Sequence, residues 1–271
     1  MNPPDAFPRA EPLPAELADA LAQAADRLGL FGPPVQWYAE VPSTSDLAAA
    51  CAERGAREGS IVMADAQTAG RGRQRRSWSS PPGAGLYVSV VLRPDPRAVP
   101  LLTMAAGVAI ADGIGAATGF LTALKWPNDV VVGPRKVAGI LAETGASPDG
   151  VPHVVLGFGV NVRVAAYPPE VAARATSLER ELGRVVDRGV VLAECMAALA
   201  ARYDDLRRDR SRAIVDAWRA YARPLLSRPV EWDGRDGVHR GVAENVDDSG
   251  ALIVRTSEGT VRVISGEVRW R

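Results

Sequence analysis

The hydrophobic pattern of the chain changes after Pro224, and this change constrains the fold more than any other feature of the sequence. Before that point, apolar residues recur at helical spacing or form apolar strands. After it, short alternating segments are separated by turn sequences, namely Asp233-Gly234, residues 247–250 and Glu258-Gly259. Residues 224–271 are therefore predicted to form a small β-barrel of roughly five strands.

The remainder divides into two parts. The first 14 residues are rich in proline and precede a short leucine-bearing helix, so residues 1–34 are predicted to be a flexible tail with one helix. Residues 35–223 mix helical and strand patterns and are predicted to form an α+β domain with a mixed sheet. Its strands are expected at 35–41, 60–66, 85–92, 124–132, 137–143, 153–158 and 160–164, and its longer helices at 44–51, 100–119, 190–206 and 212–221.

Charge and cysteine content exclude several classes of protein. The 32 basic and 32 acidic residues balance, so no global field attracts a polyanion or an anionic membrane. Two cysteines and two histidines, far apart in sequence, exclude a disulfide framework and a Cys/His zinc site. The N-terminus lacks a signal-peptide pattern, and no run reaches about 18 uninterrupted apolar residues. We therefore expect a cytoplasmic protein without a membrane span.

Residues 67–80, which we call the arginine loop, carry the most informative local composition. Four arginines occur within the six residues 71–76 and repel one another unless an anion lies among them. Gly70 and Gly72 let the backbone approach such an anion closely, and the Trp78 indole suits a flat or apolar ligand. The loop matches neither common nucleotide-binding pattern. It therefore predicts a phosphate site, an RNA contact or a solvated basic loop.

A second motif is KWPND at residues 125–129, followed by Lys136 at the start of an otherwise apolar strand. An ammonium group is costly to desolvate there without an anionic partner, although a lysine at a strand end can also extend into solvent. Asn128-Asp129 alone is typical of a turn. The ordered occurrence of these elements favours a functional site.

Taken in order, these motifs resemble those of the biotin protein ligase family. The resemblance covers about residues 35–271 and rests on Ser43-Thr44, Gln67, GRGR at 70–73, Trp78, KWPND at 125–129, KVAGIL at 136–141 and GFGVN at 157–161. It implies a class II synthetase-like catalytic domain with an SH3-like C-terminal barrel. It also implies that biotin and ATP react to give biotinyl-adenylate and pyrophosphate. A lysine of a biotin carboxyl carrier protein then accepts the biotin, with Mg²⁺ accompanying the ATP.

The resemblance also implies site residues, among which Lys136 and Arg71 are the catalytic ones. The implied biotin-binding residues are Ser43, Thr44, Ser45, Gln67, Gly70, Arg71, Gly72, Arg73, Lys136 and Gly139. The implied ATP- or adenylate-binding residues are Arg71, Arg73, Arg76, Trp78, Asn128, Lys136, Asn161 and Arg271. The Mg²⁺ is expected near Asn128, Asp129 or Asn161.

Two positions depart from the family pattern. Ser45 stands where the family often has asparagine, which affects one hydrogen bond to the ureido ring. Arg75 stands where the loop often has glycine, which adds charge and removes backbone freedom. We expect Arg75 to alter loop closure rather than the chemistry.

The resemblance leaves partners and rival functions to be tested. Some family members carry a DNA-binding module of about 60 residues, whereas about 34 precede the first ligase strand here, so we expect no DNA binding. A monomer or weak homodimer is expected. The alternatives are a lipoate or octanoate ligase, which handles a carboxylic acid and a carrier lysine in the same way, and an RNA-binding module that uses the arginine loop.

Overall fold

The computed structural model describes residues 8–234 and 237–271. The strands between residues 35 and 161 form one seven-stranded mixed sheet, in the order β1-β2-β3-β7-β6-β5-β4. Only the β1–β2 pair is parallel. Its strands are β1 (Val35–Val41), β2 (Ile61–Gln67), β3 (Gly85–Leu92), β4 (Ala123–Lys125), β5 (Asp129–Val132), β6 (Arg135–Ala146) and β7 (Pro152–Asn161).

Helices pack against this sheet. They are α1 (Ala15–Gln23), α2 (Thr44–Glu53), α3 (Leu102–Thr118), α4 (Pro169–Ala172), α5 (Leu178–Leu182), α6 (Arg188–Arg207) and α7 (Ser211–Ala222). The apolar helix α3 packs against α6, α7 and β6, and it ends at Gly119, whose φ of 73° suits a residue without a side chain. The expected α+β class with a mixed sheet is confirmed.

The segment Val99–Thr118 is long and apolar enough to cross a membrane, which the uninterrupted-run criterion had not indicated. However, 67% of its apolar window is buried inside the fold. Its side chains belong to the main core, together with those of α6 and the sheet. It is therefore accounted for as a core helix.

The C-terminal part forms a second sheet of five antiparallel strands in the order β11-β10-β9-β8-β12, as the turn spacing predicted. Its strands are β8 (Pro229–Gly234), β9 (Gly237–Val246), β10 (Leu252–Thr256), β11 (Gly259–Val263) and β12 (Val268–Trp270). Closure of this sheet into a barrel stays a prediction. It joins the first part through shared core residues and through the Trp126 indole, which donates to the Gly250 carbonyl at 3.0 Å.

Three local expectations differ from the structure. The strand expected at 124–132 is a hairpin of β4 and β5, because the sequence around Pro127 forms the turn between them. The strands expected at 153–158 and 160–164 are the single strand β7, whose ladder with β3 continues through Gly159. The short helices α4 and α5 were missed.

The expected flexible tail is described only in part, since residues 1–7 lie outside the described residues. Of the remainder, Glu11 is attached to the edge of the sheet. Its backbone N–H donates to the Trp37 carbonyl at 2.8 Å, and its side chain accepts from the Ala39 N–H at 3.2 Å. This part of the tail is therefore bound to β1.

Candidate active site

The start of α2 brings a set of hydroxyl groups to the face of the sheet. Ser43 is the N-cap, and its Oγ accepts from the Asp46 N–H at 3.4 Å, as expected for a serine at this position. Ser43 is buried and does not line a pocket. Thr44 and Ser45, the first two residues of the helix, do line one.

We call Thr44, Ser45, Gln67 and Ser89 the polar floor. The Gln67 side-chain oxygen accepts from the Thr44 N–H at 2.8 Å and from the Thr44 hydroxyl at 3.1 Å. Ser89 Oγ lies 2.9 Å from Thr44 Oγ1 and 3.2 Å from Ser45 Oγ. Gln67 Nε2 donates to Ser80 Oγ at 2.8 Å, which connects the floor to the end of the arginine loop. These groups hold one another before any ligand binds.

The arginine loop folds back on itself opposite the floor. The Gly72 N–H donates to the Arg76 carbonyl at 2.7 Å, and the Trp78 N–H donates to the Gly70 carbonyl at 2.8 Å. At its tip, two residues with side chains have positive φ. One of them is Arg75, at 59°. The departure noted at this position therefore places an arginine in a conformation that favours glycine.

Two arginines of the loop form ion pairs with acidic groups from distant parts of the chain. Arg71 forms ion pairs with Asp46 of α2 and with Glu143 of β6. Arg76 forms an ion pair with Glu267, which precedes β12 in the C-terminal sheet. These carboxylates reduce the mutual repulsion of the loop arginines.

Arg73 is the least exposed of the four loop arginines. Burial lowers its pKa, and the carboxylates of Asp129 and Glu267 partly offset this by favouring the charged form. A guanidinium stays protonated despite such a shift. Arg73 is therefore a partly desolvated cation without a closely paired carboxylate among the described residues.

Lys136 lies between two pockets. It is the second residue of β6, next to the hairpin bulge, and its Nζ forms an ion pair with Asp129 and lies 5.1 Å from the centroid of the Trp78 ring. Glycines make this arrangement possible, since an added Cβ would come within 2.7 Å of Lys136 Cε at Gly139 and within 2.6 Å of the Trp78 ring at Gly159. The Asp129 carboxylate and the face of the Trp78 ring thus offset part of the cost of desolvating the Lys136 ammonium group.

The first pocket has the polar floor on one side and the arginine loop on the other. Its walls are largely apolar or backbone. It is lined by Thr44, Ser45, Gln67, Arg71, Gly72, Arg73, Trp78, Val88, Ser89, Asn128, Lys136, Gly139, Ile140, Leu141, Gly157, Phe158 and Gly159.

The second pocket lies across Lys136 and Trp78, which line both. It is more polar and basic. It is lined by Arg76, Ser77, Trp78, Ser79, Lys125, Asp129, Val131, Pro134, Lys136, Asn161, Tyr167, Val171, Arg174, Ala175 and Glu267.

Several polar groups of the second pocket are buried without a protein partner. The Asn161 side chain donates from Nδ2 to the Thr176 carbonyl at 2.9 Å, which leaves its Oδ1 buried and without a hydrogen bond to residues 8–234 or 237–271. The Tyr167 hydroxyl has no partner there either, and burial raises the pKa of this phenol. The sequence contains two lysines, Lys125 and Lys136, and both line this pocket.

The structure brings most of the expected site residues together, with four exceptions. Ser43 caps the helix, and Gly70 belongs to the arginine loop but lines neither the first nor the second pocket. Asn128, expected on the ATP side, lines the first pocket, where its Nδ2 donates to the Ile140 carbonyl at 2.7 Å and holds the hairpin together. Arg271 lines neither pocket and pairs with Glu231 at 2.6 Å.

Other residues of the site were missed by the sequence analysis. Ser89 is the one serine in the strand sequence GLYVSVVL, whose other residues are glycine, aliphatic residues and Tyr87, and this is a signal that could have revealed it. Glu267 has no comparable signal, because its relation to Arg76 depends on how the two sheets pack together. Tyr167 and Arg174 come from the loop region around α4, which the pattern did not resolve.

Within residues 8–234 and 237–271, no group of three or more His, Cys, Asp or Glu side chains is arranged to hold a metal ion. Asp129 and Asn161 supply oxygen atoms to the second pocket. Such a sparse oxygen set fits Mg²⁺ when most of its ligands are phosphate oxygens and water.

Two family models match the chain. The Biotin/lipoate A/B protein ligase family matches residues 38–161, and the Biotin protein ligase C terminal domain matches residues 228–269.

Curated relatives extend the match over most of the chain. The bifunctional ligase/repressor BirA of Bacillus subtilis is 34% identical over 259 residues, which cover 94% of this chain and 79% of that protein. The biotin–[acetyl-CoA-carboxylase] ligase of Mycobacterium tuberculosis is 37% identical over 234 residues, covering 83% and 84%.

Solved structures give the same picture. The biotin protein ligase of Aquifex aeolicus in complex with biotin and ATP superposes with a TM-score of 0.75 and 29% identity. The match covers 87% of this chain and 97% of the other.

Proposed function

This chain belongs to the biotin/lipoate A/B protein ligase family as a biotin protein ligase, and we propose that its two pockets divide the substrates of biotin activation. The first pocket takes biotin, because a polar floor under apolar walls suits a ureido ring attached to a hydrocarbon chain. The second pocket takes ATP. Its lining by Arg76, Lys125 and Lys136 suits a triphosphate.

The position of Lys136 carries this assignment. Its side chain lines both pockets, and it is the cation placed where a carboxylate from one side and a phosphate from the other must meet. Two anions repel each other on approach, so a positive charge between them is required to bring them within bonding distance. In this proposal Lys136 exchanges its ion pair with Asp129 for contacts to both substrates.

The reaction then has two steps. In the first, a carboxylate oxygen of biotin forms a bond to the α-phosphorus of ATP. The bond from that phosphorus to the bridging oxygen breaks, and pyrophosphate leaves. Lys136 and Arg73 stabilise the negative charge that develops on the phosphate oxygens. In the second, the amine of a carrier lysine attacks the acyl carbon of biotinyl-adenylate, an amide forms, the amine loses a proton and AMP leaves.

The arginine loop protects the intermediate between the two steps. A mixed anhydride is hydrolysed if water reaches it, and the loop lies over the first pocket with Arg71 paired to Asp46 and Glu143. Trp78 separates the first pocket from the second and limits access from that side. We propose that these contacts close the site while the adenylate waits for the carrier.

Mg²⁺ is proposed to enter with ATP, where it neutralises phosphate charge. Asp129 and the free Asn161 Oδ1 are the oxygen groups that would hold it in the second pocket. Asn161 is oriented for this role by its bond to the Thr176 carbonyl.

The test is biotin-dependent release of pyrophosphate from ATP and Mg²⁺ by wild type and Lys136→Ala. We expect at least about a 100-fold loss of the rate in the variant, the magnitude seen when one charge-stabilising donor is removed from a catalytic site. Arg135→Ala is the matched control, because it removes the neighbouring cation, which pairs with Glu181 outside both pockets. Equal rates for Lys136→Ala and wild type would contradict the assignment.

The same assay separates the rival functions. Release with lipoate or octanoate in place of biotin would indicate the alternative ligase, which the named relatives do not favour. Silence with every acid, together with RNA binding that is lost in Arg71→Ala, would indicate an RNA-binding module.

We also propose that the acceptor is a biotin carboxyl carrier protein, that the enzyme acts in the cytoplasm, and that it is a monomer or weak homodimer. The carrier is supported by relatives named biotin–[acetyl-CoA-carboxylase] ligase. Transfer of labelled biotin to a purified carrier domain tests the acceptor. Sedimentation at several concentrations, with and without biotin and ATP, tests the oligomeric state.

A further inference from the structure

Ser89 is a buried hydroxyl at the base of the first pocket with no role in the reaction described so far. It is 0% exposed and stands in the otherwise apolar part of β3. Its Oγ is within hydrogen-bond distance of two other hydroxyls, those of Thr44 and Ser45. Three hydroxyls in a row share their protons, so the direction in which each one donates depends on its neighbours.

The direction of donation is fixed at Gln67, where the series of hydrogen bonds begins. The Thr44 backbone N–H can only donate, so the Gln67 atom that it meets at 2.8 Å must be the oxygen. The Gln67 amino group then points the other way and donates to Ser80 Oγ at 2.8 Å. Ser80 in turn donates to the Trp78 carbonyl at 3.4 Å.

The orientation of Gln67 then sets the direction in which each hydroxyl of the polar floor donates its proton. Thr44 Oγ1 lies 3.1 Å from the Gln67 oxygen, and two oxygens at that distance repel unless one donates, so Thr44 gives its proton to Gln67. Thr44 Oγ1 must therefore accept from Ser89. Ser89, having given its proton, must accept from Ser45.

Ser45, the last hydroxyl in this hydrogen-bonded series, faces the ligand. Ser45 lines the pocket, and with its proton directed to Ser89 it presents only lone pairs to a bound molecule. Gln67 retains one N–H that is not used by Ser80. Gly157 leaves space for this arrangement, since an added Cβ there would lie 2.8 Å from Ser45 Oγ and 3.3 Å from Ser89 Oγ. The floor thus offers an acceptor and a donor side by side.

We propose that Ser89 is a positioning residue that fixes Ser45 as a hydrogen-bond acceptor and so makes the first pocket selective for a ring that carries N–H donors beside a carbonyl. The inference rests on the proposed function, in which the ureido ring of biotin is that ring. Ser89 acts through Ser45 and Thr44 rather than by touching the reacting atoms. It also compensates for the departure at position 45, where a short serine replaces the longer asparagine of the family pattern.

The first test compares wild type with Ser89→Ala in pyrophosphate release. Without Ser89, the Ser45 proton can turn toward the pocket and face the ureido N–H. We expect the KM for biotin to rise about tenfold, as for a hydrogen bond lost with a buried partner left unsatisfied. We expect kcat and the KM for ATP to change less than about twofold, because Lys136 and the second pocket are untouched.

Ser147→Ala is the matched control. Ser147 is also a buried serine whose hydroxyl donates within the fold, to the Val151 carbonyl at 3.0 Å, but it follows β6 away from the pockets. A loss of kcat, or an equal rise in the KM for ATP, would show a general disturbance and overturn the proposal. Thermal unfolding checks that each variant folds. Ser89→Cys, which keeps the bulk but bonds weakly, replaces Ser89→Ala if the latter does not fold.

The second test is a double-mutant cycle with Ser45→Ala. In the wild-type background this variant removes a useful acceptor and raises the KM for biotin. In the Ser89→Ala background it removes a misdirected donor, so the double variant should be no worse than Ser89→Ala alone. Effects on KM that multiply would overturn the proposal, because two independent packing defects behave in that way.

Substrate choice separates failure of this inference from failure of the proposed function. If wild type releases no pyrophosphate with biotin, the proposed function fails. If wild type uses biotin and Ser89→Ala has an unchanged KM for it, only the role of Ser89 fails. The expected result includes a loss of about tenfold in the preference of Ser89→Ala for biotin over octanoate, which carries no ring to recognise.

Discussion

The polar floor and the arginine loop face each other across the first pocket, and they are built in opposite ways. The floor is held by short hydrogen bonds among Thr44, Gln67 and Ser89, on strands and a helix that are buried. The loop is held by ion pairs such as Arg71–Asp46, whose side chains are 43% and 56% exposed. Exposed ion pairs contribute about 0–1 kcal/mol each, whereas buried polar groups cost more when a partner is lost.

This difference assigns different tasks to the two regions. The polar floor has few alternative hydrogen-bonding arrangements, so it recognises a ring without rearranging, which reduces the entropy lost on binding. A loop held by weak contacts with exposed acids can exchange those contacts for a substrate anion and return when the product leaves. The site therefore combines fixed recognition with a movable cover, and variants that disturb the pocket wall or release the loop test this view.

The largest effect is expected at Gly159, where strand β7 meets Trp78 of the arginine loop. Gly159→Ala places a Cβ 2.6 Å from Trp78 Cε2 and Nε1, so the ring or strand β7 must shift. We expect at least about a 100-fold loss in biotin-dependent pyrophosphate release, since displacement by about 1 Å can cost this much.

Gly32→Ala is the control for that variant, because a Cβ at Gly32 meets nothing within 4 Å and its φ is −70°. Full activity in Gly159→Ala would mean that the contact with Trp78 does not define the pocket.

A smaller effect is expected when the loop is released from its acidic partners. Asp46→Asn combined with Glu143→Gln removes both ion pairs of Arg71 but leaves the arginine for the substrate. We expect stability to fall by less than about 1 kcal/mol and kcat for pyrophosphate release to stay within about twofold. Escape of biotinyl-adenylate into solution, measured by filtration after single turnover, should rise several-fold.

Arg97→Ala provides the comparison for the loop variant. It breaks an ion pair with Asp95, with side chains 84% and 52% exposed, away from the pockets. If the adenylate escapes no faster from the Asp46/Glu143 double variant than from Arg97→Ala, then these carboxylates do not hold the cover.

The smallest effect is expected at Arg75. Its φ of 59° is costly for a residue with a side chain, so Arg75→Gly relieves strain at the loop tip while the unfolded chain gains freedom. The net change in unfolding free energy should stay below about 1 kcal/mol. Adenylate retention should change, and repeating the measurement at high salt separates the lost charge from the relieved backbone. Unchanged biotin affinity and retention would contradict a role in closure.

Local signals explain what the sequence predicted well. Strands β1 and β3 begin and end where the apolar runs do, because proline and glycine sequences flank them. Helix α2 begins after the cap residue Ser43, and α3 ends at Gly119, close to the predicted bounds of both helices. Most of the motif residues also lie around the two pockets, since they sit on neighbouring strands or on the loop between them.

The rest depends on contacts between distant parts of the chain. Arg76 and Glu267 are 191 residues apart, so no local pattern relates them. Arg271 was expected at the nucleotide, yet it pairs with Glu231 within its own sheet. This pairing depends on the register between β12 and β8, which composition does not reveal. Ser89 was overlooked because one serine in an apolar strand is compatible with simple burial.

The distribution of amino groups has a practical consequence. Of the 32 basic residues, 30 are arginines, whose guanidinium groups stay protonated and are poor nucleophiles toward activated esters. Apart from the α-amino group, the only amines are Lys125 and Lys136, and both line the second pocket. An amine-directed acylating probe would therefore report on this pocket rather than on the general surface. For the same reason, an enzyme that makes an acylating reagent offers that reagent few targets on itself.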